Sequence, residues 1–173
     1  IVNVLLLGID SNAKREAKQK GYRSDVLILM TVNFNKNEIT MMSIPRDTYV
    51  MVPRVNQSTG KLTGRVHGKI NAAYSYGGGP NKYGAQNAIL CVEDFLSVNG
   101  KYDINVDYYA TIDMDGISKL AKAIGGVEVK LEHSLKGIGS VGETVTIDEK
   151  NVDEYVRRRK GDGGGDEGRN QRQ

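Results

Sequence analysis

Short apolar runs that end at turn-forming residues predict the strands of this chain. Val2–Leu7 is apolar almost throughout and stops at a glycine, as a strand buried on both faces does. Val26–Val32 and Ile39–Ile44 are two further apolar runs, and the Asn-rich segment between them favours a hairpin. Tyr108–Ile112 and the alternating Val127–Leu131 predict two more strands.

Apolar residues at helical spacing predict three helices. The first covers 85–96, with an apolar face made of Ala85, Ala88, Ile89, Val92, Phe95 and Leu96. The second begins at Asp115 as N-cap, ends at Gly125, and points Ile117, Leu120, Ala121 and Ile124 inward. The third runs from about Asp148 to Lys160 and ends at a glycine hinge, Gly161–Gly165.

Strands that alternate with amphipathic helices predict an α/β fold, a layered α/β/α domain with a central mixed sheet. Between strands and helices, the polar segment 56–68 predicts a long surface loop. We expect residues 1–173 to form a single domain, excised from a longer protein and truncated at its C-terminus. The sequence contains no apolar run of the ~18–20 residues that a membrane span needs.

Composition removes several functional classes. The net charge is only +3, which is too small to argue for nucleic-acid binding, and no recognition motif accompanies it. The single cysteine, Cys91, excludes an internal disulfide, and within a helical apolar pattern it predicts a packing residue. The two histidines, His67 in a polar segment and His133 past a strand, are too few for a histidine-rich metal centre.

Charged residues gather at the predicted strand ends. Asp10 follows strand one, Arg23 and Asp25 precede strand two, and Arg46 and Asp47 follow strand three. A hairpin of strands two and three sets Asp25 roughly opposite Arg46, and Asp10 joins them if strand one runs parallel to strand three. Carboxylates facing guanidinium groups suit a phosphate with Mg²⁺. A plain salt bridge between Asp25 and Arg46 explains the spacing equally well and stays open.

Basic residues also crowd the end of the chain. Segment 157–173 contains twice as many basic as acidic residues, the basic ones being Arg157, Arg158, Arg159, Lys160, Arg169 and Arg172. Cations in the last turn of a helix complement its dipole, which accounts for one or two of them. The recurrence of arginine beyond the glycines favours an anion-binding role.

Seven motifs then occur in a characteristic order. They are Gly8-Ile9-Asp10, Arg23-Ser24-Asp25, Ser43-Ile44-Pro45-Arg46-Asp47, Lys69-Ile70-Asn71-Ala72-Ala73-Tyr74, Ile124-Gly125-Gly126-Val127, Tyr155-Val156-Arg157-x-Arg159 and Gly168-Arg169-x-x-Arg172-Gln173. Together they resemble the LytR-CpsA-Psr family. The resemblance implies a phosphotransferase that moves teichoic acid or capsular polysaccharide from a polyprenyl-pyrophosphate carrier to a muramic acid hydroxyl of peptidoglycan.

The resemblance also implies roles for individual residues. Asp10 and Asp25 would hold Mg²⁺ (or Mn²⁺), and Arg46, Asp25 and Arg23 would be catalytic. The pyrophosphate would be bound by Arg23, Arg46, Lys69, Arg157, Arg159, Arg169 and Gln173. The enzyme would act on the extracytoplasmic face of the bacterial cytoplasmic membrane, anchored by an N-terminal segment outside this chain.

Three alternatives remain beside this interpretation. The same site could hydrolyse the carrier as a polyprenyl-pyrophosphate phosphatase. A non-catalytic module could bind polyprenyl phosphate without turnover. A regulatory, DNA-binding role would need salt-sensitive binding to nucleic acid, for which the sequence offers no motif.

Overall fold

The computed structural model describes residues 1–10, 22–158 and 164–172. They form two compact units, Ile1–Asp113 and Met114–Gln173, each with its own hydrophobic cluster. The expectation of a single domain over 1–173 stays a prediction. Within the described residues, no helix combines the length and the apolar character that crossing a bilayer requires.

The first unit is built around a four-stranded mixed sheet. Its strands and helices are β1 (Val2–Ile9), β2 (Ser24–Asn33), β3 (Glu38–Ser43), β4 (Tyr49–Val55), β5 (Leu62–Lys69), α1 (Ala72–Tyr76), α2 (Gly84–Leu96) and β6 (Tyr108–Asp113). The sheet order is β3-β2-β1-β6, with β1 antiparallel to β2 and parallel to β6. The predicted α/β class with a central mixed sheet is confirmed, and so are the strands expected from apolar runs.

One face of this sheet carries the core of the first unit. Leu5 and Leu7 of β1 pair with Leu29 and Leu27 of β2, and all four are at most 7% exposed. They cluster with buried residues of α1 and α2, including Cys91. Alternate residues of a strand share a face, so this spacing directs the leucines toward the helices. Burying each such side chain contributes about 1.5–3 kcal/mol.

Strands β4 and β5 form an antiparallel hairpin, so the expected surface loop over 56–68 is wrong. The turn occupies only the residues between Val55 and Leu62, and the rest of the segment pairs along β4. The buried side chain of Asn87 in α2 holds the hairpin in place, because its Nδ2 donates to the carbonyl oxygens of Pro53 (3.0 Å) and Ala73 (2.7 Å). Hydrogen bonds of this kind replace the apolar alternation that usually marks a strand.

The second unit contains α3 (Met114–Ile124), β7 (Val127–Lys130), β8 (Thr144–Ile147), α4 (Val152–Arg157) and α5 (Gly165–Arg172), with β7 and β8 antiparallel. Helix α3 begins one residue before the expected cap, so Asp115 lies in its first turn. The chain then reverses after Ile124 through Gly125 at φ +75°, as predicted.

Two side chains of α3 are not inward as expected. Leu120 and Ile124 are 51% and 57% exposed, whereas Ala121 is buried and Ile117 packs against the same cluster. Residues four apart share one stripe of a helix, so the pair 117 and 121 faces the cluster while 120 and 124 lie on the adjacent stripe. The apolar face is therefore narrower than the sequence pattern indicates.

The third predicted helix is also shorter than expected. Helix α4 ends at Arg157, because Arg158 adopts an extended backbone at φ −61° and ψ 127°. Helix α5 was not predicted. Most of the expected glycine hinge, together with Arg159 and Lys160, lies outside the described residues.

Gly8 lies directly opposite Val26 in the β1–β2 ladder, and we predict that Gly8→Ala destabilises the fold. An added Cβ would lie 2.9 Å from Val26 Cβ and 3.0 Å from its Cγ2, on a branched side chain fixed to the backbone. Overpacking of this kind costs about 1–3 kcal/mol, measurable as a lower free energy of unfolding in a urea titration.

Gly64 in β5 provides the matched control. A Cβ there has no atom within 4 Å, so Gly64→Ala is expected to match or slightly exceed the stability of the parent protein. Equal unfolding free energies for Gly8→Ala and Gly64→Ala would contradict the close-approach argument.

Candidate functional site

A bulge at the end of the β1–β2 ladder presents Asp25. Gly8 pairs with Val26 and Ile9 pairs with Ser24, so Asp25 is the extra residue on β2. Beyond the bulge, the Asp10 amide donates to the Arg23 carbonyl oxygen at 3.0 Å. A bulge bends its strand and redirects the extra side chain, which is why bulges recur beside functional sites.

The guanidinium of Arg46 reaches this bulge from the connection after β3. Strand β3 runs antiparallel to β2, and the Ile44 amide extends the ladder by donating to the Leu27 carbonyl oxygen at 2.8 Å. Arg46 then places Nη1 3.0 Å from Asp25 Oδ2. The expected juxtaposition of Asp25 and Arg46 is thus present in the structure. Strand β1 also runs in the same direction as β3. This direction was the condition for Asp10 to lie at the same sheet edge as Asp25 and Arg46.

The ion pair continues into a chain of alternating charges. Arg46 Nε lies 3.6 Å from Asp47 Oδ2, and Lys69 Nζ lies 2.7 Å from Asp47 Oδ1. Lys69 is the last residue of β5, so its ion pair with Asp47 connects the base of the β4–β5 hairpin to the segment after β3. The backbone connects the same segments, because the Asn71 amide donates to the Arg46 carbonyl oxygen at 3.3 Å.

Three buried polar atoms lie in these same segments without a hydrogen-bond partner among the described residues. They are Ser24 Oγ, Arg46 Nε and Asn71 Oδ1. Ser24 and Asn71 are 0% and 3% exposed. Most buried polar groups in folded proteins are hydrogen-bonded, so three unsatisfied groups in adjoining segments are a departure from that rule. Both residues belong to the recognised motifs, but nothing in the sequence separated them from structural positions.

The charges contributed by these segments balance. Asp10, Asp25 and Asp47 are matched by Arg23, Arg46 and Lys69. Arg23 is exposed, and its guanidinium has no ion-pair partner in the described part of the chain. These six charges therefore sum to zero, and the cation of Arg23 faces solvent. Net charge alone would give a doubly charged anion little attraction to this group.

A divalent metal fits the carboxylates in a limited way. Among the described residues, no three His, Cys, Asp or Glu side chains gather where they could hold a metal. Mg²⁺ is commonly bound by one or two carboxylates together with substrate phosphates and waters. Asp10 and the bulged Asp25 are hard oxygen donors of this type, so the pair suits Mg²⁺ when a phosphate supplies further oxygens.

The predicted pyrophosphate ligands of the second unit have different surroundings. Arg157 is exposed and pairs with Asp153 at 3.5 Å, one turn earlier in α4. Arg169 is 6% exposed. Arg172, which is not among the predicted ligands, donates through Nε to the Tyr155 carbonyl oxygen at 2.9 Å, and its guanidinium also donates to the Arg158 carbonyl oxygen. Arg159 and Gln173 lie outside the described residues, so their roles stay predictions.

Other reactive side chains play structural parts. Burial raises the pKa of the Cys91 thiol to about 12, so the thiol stays protonated and packs in the core as expected. The ring of His67 stacks on Tyr49, with centroids 5.7 Å apart. His67 belongs to β5 rather than to the loop expected from its polar surroundings.

Known proteins are similar to this chain in both sequence and fold. A polyisoprenyl-teichoic acid–peptidoglycan teichoic acid transferase TagU of Halalkalibacterium halodurans is 40% identical over 99% of this chain and 49% of its own length. The crystal structure of B. subtilis TagU is 32% identical, with a TM-score of 0.67, covering 99% of this chain and 61% of that chain. A structure described as TagT bound to LI-WTA is 29% identical, with a TM-score of 0.68, covering 99% of this chain and 59% of that chain.

These matches cover nearly all of this chain but only part of each relative. The chain spans about half the length of the curated relatives it matches. The model of the LytR_cpsA_psr family matches residues 1–173, from the first residue to the last. The chain belongs to the LytR-CpsA-Psr family.

Proposed function

We propose that this chain is the catalytic part of a Mg²⁺-dependent phosphotransferase that attaches an anionic glycopolymer to peptidoglycan. The donor is a polyprenyl-pyrophosphate carrying teichoic acid or capsular polysaccharide, and the acceptor is a sugar hydroxyl of peptidoglycan. Relatives named as teichoic acid transferases support this reaction class. The observation that carries the proposal is the chain of charges from Asp25 through Arg46 and Asp47 to Lys69.

The arrangement of Arg46 suits a phosphate better than a purely structural ion pair. Its side chain is 20% exposed and already contacts two carboxylates, yet Nε makes no hydrogen bond among the described residues. Guanidinium groups bind phosphate oxygens through paired N–H donors. Side-chain oxygens of Ser24 and Asn71, in segments joined to Arg46 by backbone hydrogen bonds, are also buried without a hydrogen-bond partner among the described residues.

In the proposed reaction, an acceptor hydroxyl oxygen bonds to the polymer-linked phosphorus. The bond from that phosphorus to the bridging oxygen breaks, and polyprenyl phosphate leaves with the electron pair. The hydroxyl proton passes to solvent or to a site carboxylate. Arg46 and Arg23 orient the phosphates and neutralise charge on the oxygens, so the protein needs no nucleophile of its own.

Asp10 and Asp25 are the residues that would hold Mg²⁺. When bound, the ion would offset the two negative charges of the pyrophosphate, which the neutral group of protein charges leaves uncompensated. The exposed guanidinium of Arg23 would add a further cation at the solvent side. The arginines of the second unit (Arg157, Arg159 and Arg169) and Gln173 complete the proposed set of pyrophosphate ligands.

The proposed location follows from the substrates. Polyprenyl carriers lie in the membrane and peptidoglycan lies outside it, so the enzyme would act on the extracytoplasmic face of the bacterial cytoplasmic membrane. A membrane anchor outside this chain would keep it near the carrier. Nucleic acid is not a proposed partner.

Replacing Arg46 tests the proposed site. We predict that Arg46→Ala lowers the transfer rate by about 10²–10³-fold, because a donor aimed at developing charge is lost. Arg46→Lys should recover only part of the rate, since an ammonium lacks the planar fork. The measurement is transfer of a radiolabelled lipid-linked polymer to peptidoglycan, alongside thermal unfolding of each variant.

The control for Arg46 is Lys101→Ala, which removes an exposed cation that lies 5.4 Å from the Tyr102 ring. It should transfer at the parent rate. If Arg46→Ala fails to fold while Arg46→Lys keeps full activity, the ion pair between Arg46 and Asp25 is only structural. Release of free polymer at the same rate without peptidoglycan would identify a phosphatase instead.

Metal binding should depend on the phosphate. Because protein ligands are too few to hold Mg²⁺ alone, we predict weak Mn²⁺ binding to the free protein and at least tenfold tighter binding when inorganic pyrophosphate is present. Mn²⁺ electron paramagnetic resonance measures both, and EDTA should abolish transfer. Asp10→Asn and Asp25→Asn should remove the pyrophosphate-dependent gain. Tight Mn²⁺ binding without pyrophosphate, or full transfer in EDTA, would contradict the proposed site.

A further inference from the structure

A polar pocket lies on the β4–β5 hairpin, away from the Asp25–Arg46 pair. Its cavity has a volume of about 490 Å³ and is lined in part by Arg54, Arg65, Gln57, Thr63 and Tyr76. This volume lies in the range of small-molecule sites in proteins. Along the hairpin, the Arg54–Gly64 pair lies five residues from the Tyr49–Lys69 pair at its base. At about 3.4 Å per residue, the pocket lies about 17 Å along the hairpin from Lys69.

The two arginines of this pocket differ in how far their charge is compensated. Arg65 binds Asp94 of α2 twice, with Nη2 at 2.8 Å and Nε at 2.9 Å from Oδ2. Arg54 has no carboxylate partner in the described part of the chain, and its guanidinium carbon lies 4.9 Å from the centre of the Tyr76 ring. An aromatic ring attracts a cation without accepting its N–H groups in regular hydrogen bonds. The donors of Arg54 therefore remain available to an anion.

Neutral polar groups and open space surround this cation. The Thr63 hydroxyl donates to the Arg54 carbonyl oxygen at 2.9 Å and still has lone pairs to accept with. Gln57 contributes a side-chain amide to the pocket lining. Its Oε1 lies 3.4 Å from Lys82 Nζ, so the Lys82 ammonium is a second cation near the pocket. Gly64, directly opposite Arg54 in the ladder, has no atom within 4 Å of where its Cβ would be. The wall at Gly64 is thus open.

We propose that this pocket is a secondary binding site for an anionic carbohydrate, a sugar that bears a phosphate or a carboxylate. Arg54 binds the anionic group, and Gln57 and Thr63 bind hydroxyl or amide groups of the sugar. The site rests on the proposed function, since its ligand is a part of the donor polymer or of the acceptor glycan remote from the reacting phosphorus. A contact that is equal in the ground state and the transition state lowers KM and leaves kcat unchanged.

Direct binding tests the site without requiring turnover. The probes are a short oligo(glycerol phosphate), the disaccharide N-acetylglucosaminyl-N-acetylmuramic acid, and neutral chitobiose, each titrated into the protein by calorimetry. The parent protein should bind one of the two anionic probes at least tenfold more tightly than chitobiose, and the probe that binds identifies donor or acceptor as the source.

Two variants should weaken that probe by different routes. Arg54→Ala removes the charge-assisted hydrogen bonds, and we expect about a tenfold weaker affinity, or about 1.4 kcal/mol. Gly64→Val fills the open wall without removing a charge and should weaken binding similarly while leaving the unfolding transition unchanged. Lys61→Ala is the matched control, because it removes an exposed cation of the same hairpin that does not line the pocket.

The kinetic readout separates this site from the reaction centre. Arg54→Ala should raise KM about tenfold for the substrate whose probe binds, with kcat unchanged, whereas Arg46→Ala lowers kcat. The proposed site would be wrong if the parent protein bound neither anionic probe, or if it bound chitobiose equally well. It would also be wrong if both variants bound the probe as the parent protein does. Absence of transfer by the parent protein, with probe binding still dependent on Arg54, would overturn the proposed function and leave the carbohydrate site standing.

Discussion

The contact between the Arg46 guanidinium and the bulged Asp25 carboxylate is the interaction on which the site depends. Both side chains are about three-quarters or more removed from solvent, so each charge needs a partner close by. Asp25 lies on β2 and Arg46 in the connection after β3. They meet where the β2–β3 ladder continues through Ile44 and the β1–β2 ladder bulges at Asp25. Gly8 permits the close approach of β1 that accompanies the bulge. Backbone geometry and charge pairing are therefore coupled here.

The same contact shapes the electrostatics of the proposed phosphate site. A site of unpaired cations would attract any anion, but here Arg46 and Lys69 are held by Asp25 and Asp47. Such pairing keeps the guanidinium oriented and lowers the net charge that a phosphate meets. A divalent ion changes the balance only when it arrives with further oxygen ligands. In the proposed function, the arrangement would favour joint binding of metal and pyrophosphate over binding of either one alone.

The sequence predicted those parts of the fold that follow from local pattern. Apolar runs identified β1, β2 and β3, and the register of the β2–β3 hairpin placed Asp25 opposite Arg46. The β4–β5 hairpin was not predictable in this way, because Pro53, Gly64 and Gly68 interrupt any alternation and a side chain of α2 secures its backbone. The end of α4 at Arg157 depends on an extended residue that no capping signal marks.

The site was predictable to a similar degree. Charged residues at strand ends stood out because the predicted hairpin gathers Arg23, Asp25, Arg46 and Asp47 at one edge of the sheet. Ser24 and Asn71 did not, because their significance lies in being buried without hydrogen-bond partners for their side-chain oxygens. That property depends on how three chain segments pack and leaves no mark on local spacing. Family motifs contained both residues, but membership of a motif does not distinguish a ligand-binding group from a structural one.

The β4–β5 hairpin connects the two polar sites of the first unit. Its base carries Lys69, which is paired with Asp47, and its upper part carries Arg54 and the pocket around it. Asn87 fixes the hairpin between these ends through the Pro53 carbonyl oxygen, so the separation of about 17 Å is set by a clamped pair of strands. A polymer long enough to span both proposed sites would gain the second contact at a high effective concentration. A short fragment would reach only one of the proposed sites, so under the proposed function the hairpin would favour a polymer over its isolated parts.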